Sequence, residues 1–78
     1  MAAKAYILIE TAVGKTKEVV AKIRQLKGVK SVDSVTGPYD AIAIFESESL
    51  NDIGELVTGK IHPIAGISRT VTCLKIFD

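Results

Sequence analysis

At 78 residues, with 47% apolar side chains and a formal net charge of +1, the chain reads as one domain, residues 1–78, whose partners are not selected by bulk charge. One cysteine and one histidine exclude an internal disulfide and a Cys/His zinc cluster, and no apolar run approaches the roughly 20 residues of a membrane span. A domain this small buries only about 60–65% of its unfolded surface. A partner subunit is therefore the expected source of added stability, in a soluble protein of a reducing, cytoplasmic compartment.

Residues 4–10 (KAYILIE) are apolar and rich in β-formers and predict a strand. Thr11 to Gly14 form a short connection. Between Lys15 and Lys27, Val19, Val20, Ile23 and Leu26 recur at helical spacing, and Gly28 follows where helices commonly stop. Residues 29–36 predict a second strand, and Gly37-Pro38-Tyr39-Asp40 is a turn by its chemistry. Residues 41–46 (AIAIFE) predict a third strand. Ser47 or Ser49 can cap a second helix, whose apolar stripe is Leu50, Ile53, Leu56 and Val57 and which Gly54 and Gly59 weaken. Lys60 to Gly66 connect to a last strand at 67–77.

The chain then repeats itself. Leu26-Lys27-Gly28-Val29-Lys30-Ser31 and Ile64-Ala65-Gly66-Ile67-Ser68-Arg69 share one pattern: apolar, x, Gly, β-branched, polar, polar. Each half is a strand, a helix and a strand. Two βαβ halves point to an α+β, ferredoxin-like βαββαβ fold, with an antiparallel four-stranded sheet and both helices on one face. The strands are apolar on both sides. Ala5, Ile7 and Ile9 oppose Tyr6 and Leu8; Ala41, Ala43 and Phe45 oppose Ile42 and Ile44; Val71, Cys73 and Phe77 oppose Leu74 and Ile76. The helices bury one face, so the other predicts a homodimer packed sheet to sheet.

The sequence offers little for catalysis. There is no P-loop, no GxGxxG and no GxSxG, so neither a phosphate cradle nor a nucleophilic triad is signalled. His62 reads as a surface or packing residue and Cys73 as a buried, inert thiol. Glu46 and Glu48 read as solvated charges at a strand end. Lys15, Lys17, Lys22, Arg24, Lys27 and Lys30 crowd the first half, and Glu46, Glu48, Asp52 and Glu55 the middle, either as two solvated faces of opposite sign or as a basic surface for an anionic partner or charge matching between subunits. An enzyme, a cofactor site and a metal site are not expected.

Two features remain open. The turn Thr36-Gly37-Pro38-Tyr39-Asp40 is either a plain hairpin turn with Asp40 bonded to its own backbone or part of a binding site. Ser68, Thr70 and Thr72 alternate along the last strand, which places three hydroxyls on one face, either for β propensity or for a ligand.

Taken with Glu10-Thr11-Ala12-Val13-Gly14 and Leu26-Lys27-Gly28-Val29, these segments resemble the effector-binding domain, or RAM domain, of the Lrp/AsnC transcription regulators. The resemblance spans roughly residues 4 to 77; its most specific parts are Gly37-Pro38-Tyr39-Asp40 and Thr70-Val71-Thr72. It implies a βαββαβ domain that dimerises through its sheet, assembles further, commonly to an octamer, and binds a free amino acid or related metabolite at subunit interfaces. The expected ligand-binding residues are Gly37, Tyr39, Asp40, Ala41, Ser68, Thr70 and Thr72. Asp40 or strand carbonyls would take the ligand's ammonium; N–H groups near Gly37, Tyr39 and Ala41, and the hydroxyls of Thr70 and Thr72, would take its carboxylate. Family members also carry an N-terminal helix-turn-helix. So few residues precede the first strand that the chain resembles the stand-alone form, with no direct DNA binding expected and full-length Lrp/AsnC regulators as candidate partners. The alternatives are a ligand-independent adaptor that co-assembles with such regulators, and a small dimeric α+β-barrel enzyme.

Overall fold

The apolar spacing resolves into the expected βαββαβ order in the computed structural model, which describes residues 3–76. The elements are β1 (Ala3–Thr11), α1 (Thr16–Arg24), β2 (Val29–Ser34), β3 (Ala41–Ser47), α2 (Leu50–Leu56) and β4 (Ile67–Leu74). The strands form one antiparallel sheet in the order β2-β3-β1-β4, so β1 and β3 are central and β4 is an edge. The fold is ferredoxin-like.

One face of the sheet makes the core. Register pairs share a face. Ala5 lies opposite Phe45, Ile7 opposite Ala43 and Ile9 opposite Ala41, and all six are buried. Val19, Val20 and Ile23 of α1, and Ile53 and Leu56 of α2, complete that layer with Val32. Each buried isoleucine contributes about 1.5–3 kcal/mol of transfer free energy. On the other face Tyr6, Leu8, Ile42, Ile44 and Val71 are half-buried, and nothing among the described residues covers them.

The repeated segment forms the same turn twice. Val29 N–H donates to Leu26 O at 3.3 Å with Gly28 at φ +93°, and Ile67 N–H donates to Ile64 O at 3.4 Å with Gly66 at φ +101°. An i to i+3 bond with positive φ at the third residue is the pattern of a type II turn, which favours glycine there. Packing adds a second reason at Gly28: a Cβ would fall 2.1 Å from Cε1 of Phe45.

Several elements differ from expectation. Helix α1 stops at Arg24, because Gln25 and Leu26 bond back three residues to Lys22 and Ile23 and tighten the chain into the turn. Strand β2 stops at Ser34, and Val35 N–H instead closes the connection by donating to Asp40 O at 2.9 Å. Where a connection was expected from Lys60, α2 runs on into a wide π-type turn, Val57–Ile61, closed by His62 N–H on Val57 O at 2.9 Å. That turn buries Val57 and Ile61, the latter completely. Ser49 is the cap of α2, its hydroxyl accepting from Asp52 N–H at 3.2 Å. Leu50, expected in the buried stripe, is 61% exposed in the first turn of α2. Cys73, expected to be buried, is exposed, because β4 is an edge strand and Cys73 lies opposite Tyr6 on the uncovered face. Strand β4 ends at Leu74, and Phe77 lies outside the described residues.

Two glycine substitutions should move stability in opposite directions. Gly28→Ala meets both the positive φ and the Phe45 ring, and should cost about 2–4 kcal/mol in urea unfolding. Gly54→Ala places a methyl in open space inside α2 and should gain about 0.5–1 kcal/mol. Equal effects would refute this account of the turn.

Candidate functional site

The end of the sheet where β1 finishes and β3 begins gathers most of the polar contacts that cross between elements. Asp40 anchors it. Its N–H donates to Ile9 O at 2.9 Å, and its Oδ2 accepts from Thr11 N–H at 2.8 Å. The carboxylate is thus engaged by the neighbouring strand rather than by its own backbone, and its second oxygen makes no bond among the described residues. Thr11 Oγ1 and Thr16 Oγ1 lie 2.8 Å apart and tie this end to α1. Gly37, at φ +136°, sits at the exposed tip of the connection.

Tyr39 joins the turn to β4. Its hydroxyl accepts from Nη2 of Arg69 at 3.1 Å, and the guanidinium carbon lies 5.5 Å from the ring centroid. Such a stacked, hydrogen-bonded arginine is held in one orientation. Arg69 was not singled out in the sequence. Its partner is 30 residues away, and only the register of β4 on β1 reveals the contact.

The hydroxyls of β4 do not act as one row. The β1–β4 register shifts between Glu10, opposite Arg69, and Thr11, opposite Ile67, which leaves Ser68 as the extra residue of a bulge. Ser68 Oγ has both Glu10 O, at 3.1 Å, and Glu10 Oε1, at 3.0 Å, in range as acceptors. Thr70, opposite Ile9 on the helix-covered face, lies 3.0 Å from Nε2 of His62. A cleft of about 340 Å³ is lined by His62, Ile67, Ser68, Arg69 and Thr70. Thr72, opposite Ile7, lines a different cleft of about 320 Å³ with Leu50, Ile53, Gly54, Val57, Thr58 and Leu74. Ala41 is fully buried between Ile9 of β1 and Ser34 of β2.

The structure therefore brings Tyr39 and Asp40 of the turn to the same end of the sheet as Ser68 and Thr70. It sets Thr72 apart and places the Ala41 side chain in the core. His62, Glu10 and Arg69 are the polar neighbours that sequence reasoning missed.

The family model of the Lrp/AsnC ligand binding domain matches residues 4–76. The chain belongs to the Lrp/AsnC family. It is 32% identical over 56 residues to an HTH-type transcriptional regulator of Pyrococcus furiosus, PF0250, a match covering 72% of this chain and 37% of that protein. The chain thus spans just over a third of the curated relative it matches. It also resembles the crystal structure of hypothetical protein PHS023 from Pyrococcus horikoshii, with TM-score 0.89 and 36% identity, covering 97% of this chain and 92% of that one. The same fold recurs in the transcriptional regulator NMB0573 from Neisseria meningitidis, solved as a complex with L-Met, with TM-score 0.87, 17% identity and coverage of 97% and 51%. Among the described residues, no helix is long and apolar enough to cross a membrane.

The Asp40 contacts predict a graded response. Asp40→Ala leaves the Thr11 N–H without its carboxylate and should lose about 1–2 kcal/mol of unfolding free energy, since the site is half exposed. Asp40→Asn keeps an acceptor at the same place and should retain most of it. Chemical denaturation of the two variants tests this; an unperturbed Ala variant would remove Asp40 from its anchoring role.

Proposed function

We propose that this Lrp/AsnC domain is the effector-sensing and assembly unit of a transcription-regulatory complex, and that its effector is a free amino acid or a closely related metabolite. The carrying observation is the Tyr39–Arg69 contact, which joins the Gly37–Asp40 turn to the cleft beside Ser68 and Thr70. A cleft of about 340 Å³ is in the range of small-ligand sites. The turn and strand residues proposed to line or support it are Gly37, Tyr39, Asp40, Ala41, Ser68, Thr70 and Thr72. Ala41 contributes through its backbone only. That a distant fold relative holds L-Met supports the ligand class.

Assembly follows from the uncovered face. Tyr6, Leu8, Ile42, Ile44 and Val71 form an apolar surface on a chain too small to leave it wet, and a second copy placed sheet to sheet covers it. The domain is not a catalyst on this reading. Its one histidine is bonded to a threonine hydroxyl, and no carboxylate among the described residues orients it as a base. Contacts with longer Lrp/AsnC regulators are the route by which it would act on transcription, and any assembly beyond the dimer would use other surfaces.

Two measurements test this. In sedimentation equilibrium at micromolar concentration the protein should have at least twice the 8.3 kDa chain mass, and Ile44→Glu should reduce it to the single chain. A monomeric wild type would refute the sheet-packing reading. In a thermal-shift panel of the standard amino acids at millimolar concentration, at least one should raise the melting temperature. A ligand at a hundredfold excess over its Kd adds about 2.7 kcal/mol, and about 1 kcal/mol moves a domain of this size by roughly 4–8 °C. Thr70→Val should weaken that response more than Thr72→Val. A flat panel on an intact dimer would favour the ligand-independent adaptor.

A further inference from the structure

The uncovered sheet face carries charge at both ends, and the two ends are built differently. At one end Lys4 and Glu46 stand opposite each other in the β1–β3 register and pair at 4.0 Å. At the other, Glu10 and Arg69 are register partners across β1 and β4, and no ion pair closes between them. Each is instead held by a neutral neighbour. Arg69 donates to the Tyr39 hydroxyl and stacks on its ring, while Glu10 Oε1 accepts from Ser68.

An opposite pair on adjacent strands, held open in this way, leaves unused bonding capacity on both members. A guanidinium has five N–H donors in a planar fork, and Tyr39 takes one; a carboxylate has about four acceptor sites, and Ser68 takes one. The fork matches a carboxylate in bidentate geometry, and Glu10 matches an ammonium. Cation and anion side by side on one face form the complement of a zwitterion. The cleft lined by His62, Ile67, Ser68, Arg69 and Thr70 shares Arg69 with this pair, and Ser68 ties it to Glu10, while Thr70 and His62 lie on the helix side of β4.

We propose that Arg69 and Glu10 are the carboxylate and ammonium anchors for a free α-amino acid bound where the uncovered face meets the β4 edge. This rests on the amino-acid reading above and deepens it. Gly37, Tyr39 and Asp40 then serve chiefly to hold the arginine and the strand end, and the ligand's charges are met by two residues outside that set.

The test is calorimetric titration of the whole chain with the amino acid that gives the largest thermal shift and with its two single-charge relatives. For L-leucine these are 3-methylbutylamine and 4-methylpentanoate; for L-methionine, 3-(methylthio)propylamine and 4-(methylthio)butanoate. Wild type should bind the zwitterion about tenfold to a hundredfold more tightly than either relative, the range expected for one lost charge-assisted contact. Arg69→Gln should erase the advantage over the amine, and Arg69→Lys should restore it in part. Glu10→Gln should erase the advantage over the acid. Melting temperatures of the ligand-free variants and their sedimentation confirm that fold and assembly are intact. If wild type binds an amino acid and the glutamine variants bind it unchanged, the anchors are wrong and the amino-acid reading stands. If the variants lose binding only because the dimer dissociates, Arg69 and Glu10 are assembly contacts and the proposal is overturned. If no amino acid binds wild type, both fall together.

Discussion

On the core face of the central ladder each large side chain meets a small one: Phe45 with Ala5, Ile7 with Ala43, Ile9 with Ala41. This matching carries more weight here than in most antiparallel sheets. Usually a wet face and a dry face fix register, because a slip of one residue exposes the apolar set. Both faces of β1 and β3 are apolar, so polarity penalises a slip weakly. Steric fit supplies the missing specificity. A slip by two residues would set Ile7 against Phe45 on one side and leave small side chains together elsewhere, with overpacking and voids under the same helices. The polar end of the molecule inherits its geometry from this ladder. Asp40 lies one residue before Ala41 and bonds to Ile9 and Thr11 only because Ala41 is opposite Ile9.

The repeat imposes a second constraint. The two halves use the same glycine turn to bring the chain from helix to strand, yet the halves pack differently. Gly28 sits under the Phe45 ring, whereas Gly66 lies against Lys15 and Val19. The second half alone contains the π-type turn, which widens the helix by one residue per turn and delivers His62 beside Thr70. Pseudo-symmetry therefore builds the frame, and its local breakdown in the second half makes the cleft at the β4 edge.

Most of the frame was legible in the sequence. Glycine at fixed offsets, helical spacing in 15–27 and two-sided strands lead to a βαββαβ sheet without reference to any relative. The misses share a physical cause. Leu50 obeys helical spacing, yet it stands exposed in the first turn of α2, and period alone does not report where a helix begins relative to what it covers. Cys73 sits in an apolar stretch, but whether a strand is central or an edge depends on long-range pairing. Ser68, Thr70 and Thr72 alternate in sequence, and the bulge breaks the alternation in space. Tyr39 and Asp40 were visible as unusual turn residues. Arg69 and Glu10 were not, because a charge is conspicuous only beside its counterpart, and theirs is set by the β1–β4 register.

That register also makes binding and assembly one problem on the proposed reading. Glu10 and Arg69 stand on the same face as Tyr6, Leu8 and Val71, at the border of the apolar area that a second copy would cover. A group clasped between them lies at the rim of the interface, where it changes the charge and desolvation that the neighbouring copy meets. Linkage then works in both directions: whatever free energy the ligand adds to assembly, assembly adds to the ligand. On that reading the domain acts as a sensor without any chemical step, since the lever is the equilibrium between assembled forms. The rigid ladder suits that role. It leaves the site end little freedom to deform, so that differences in ligand are passed to the interface rather than absorbed within the fold.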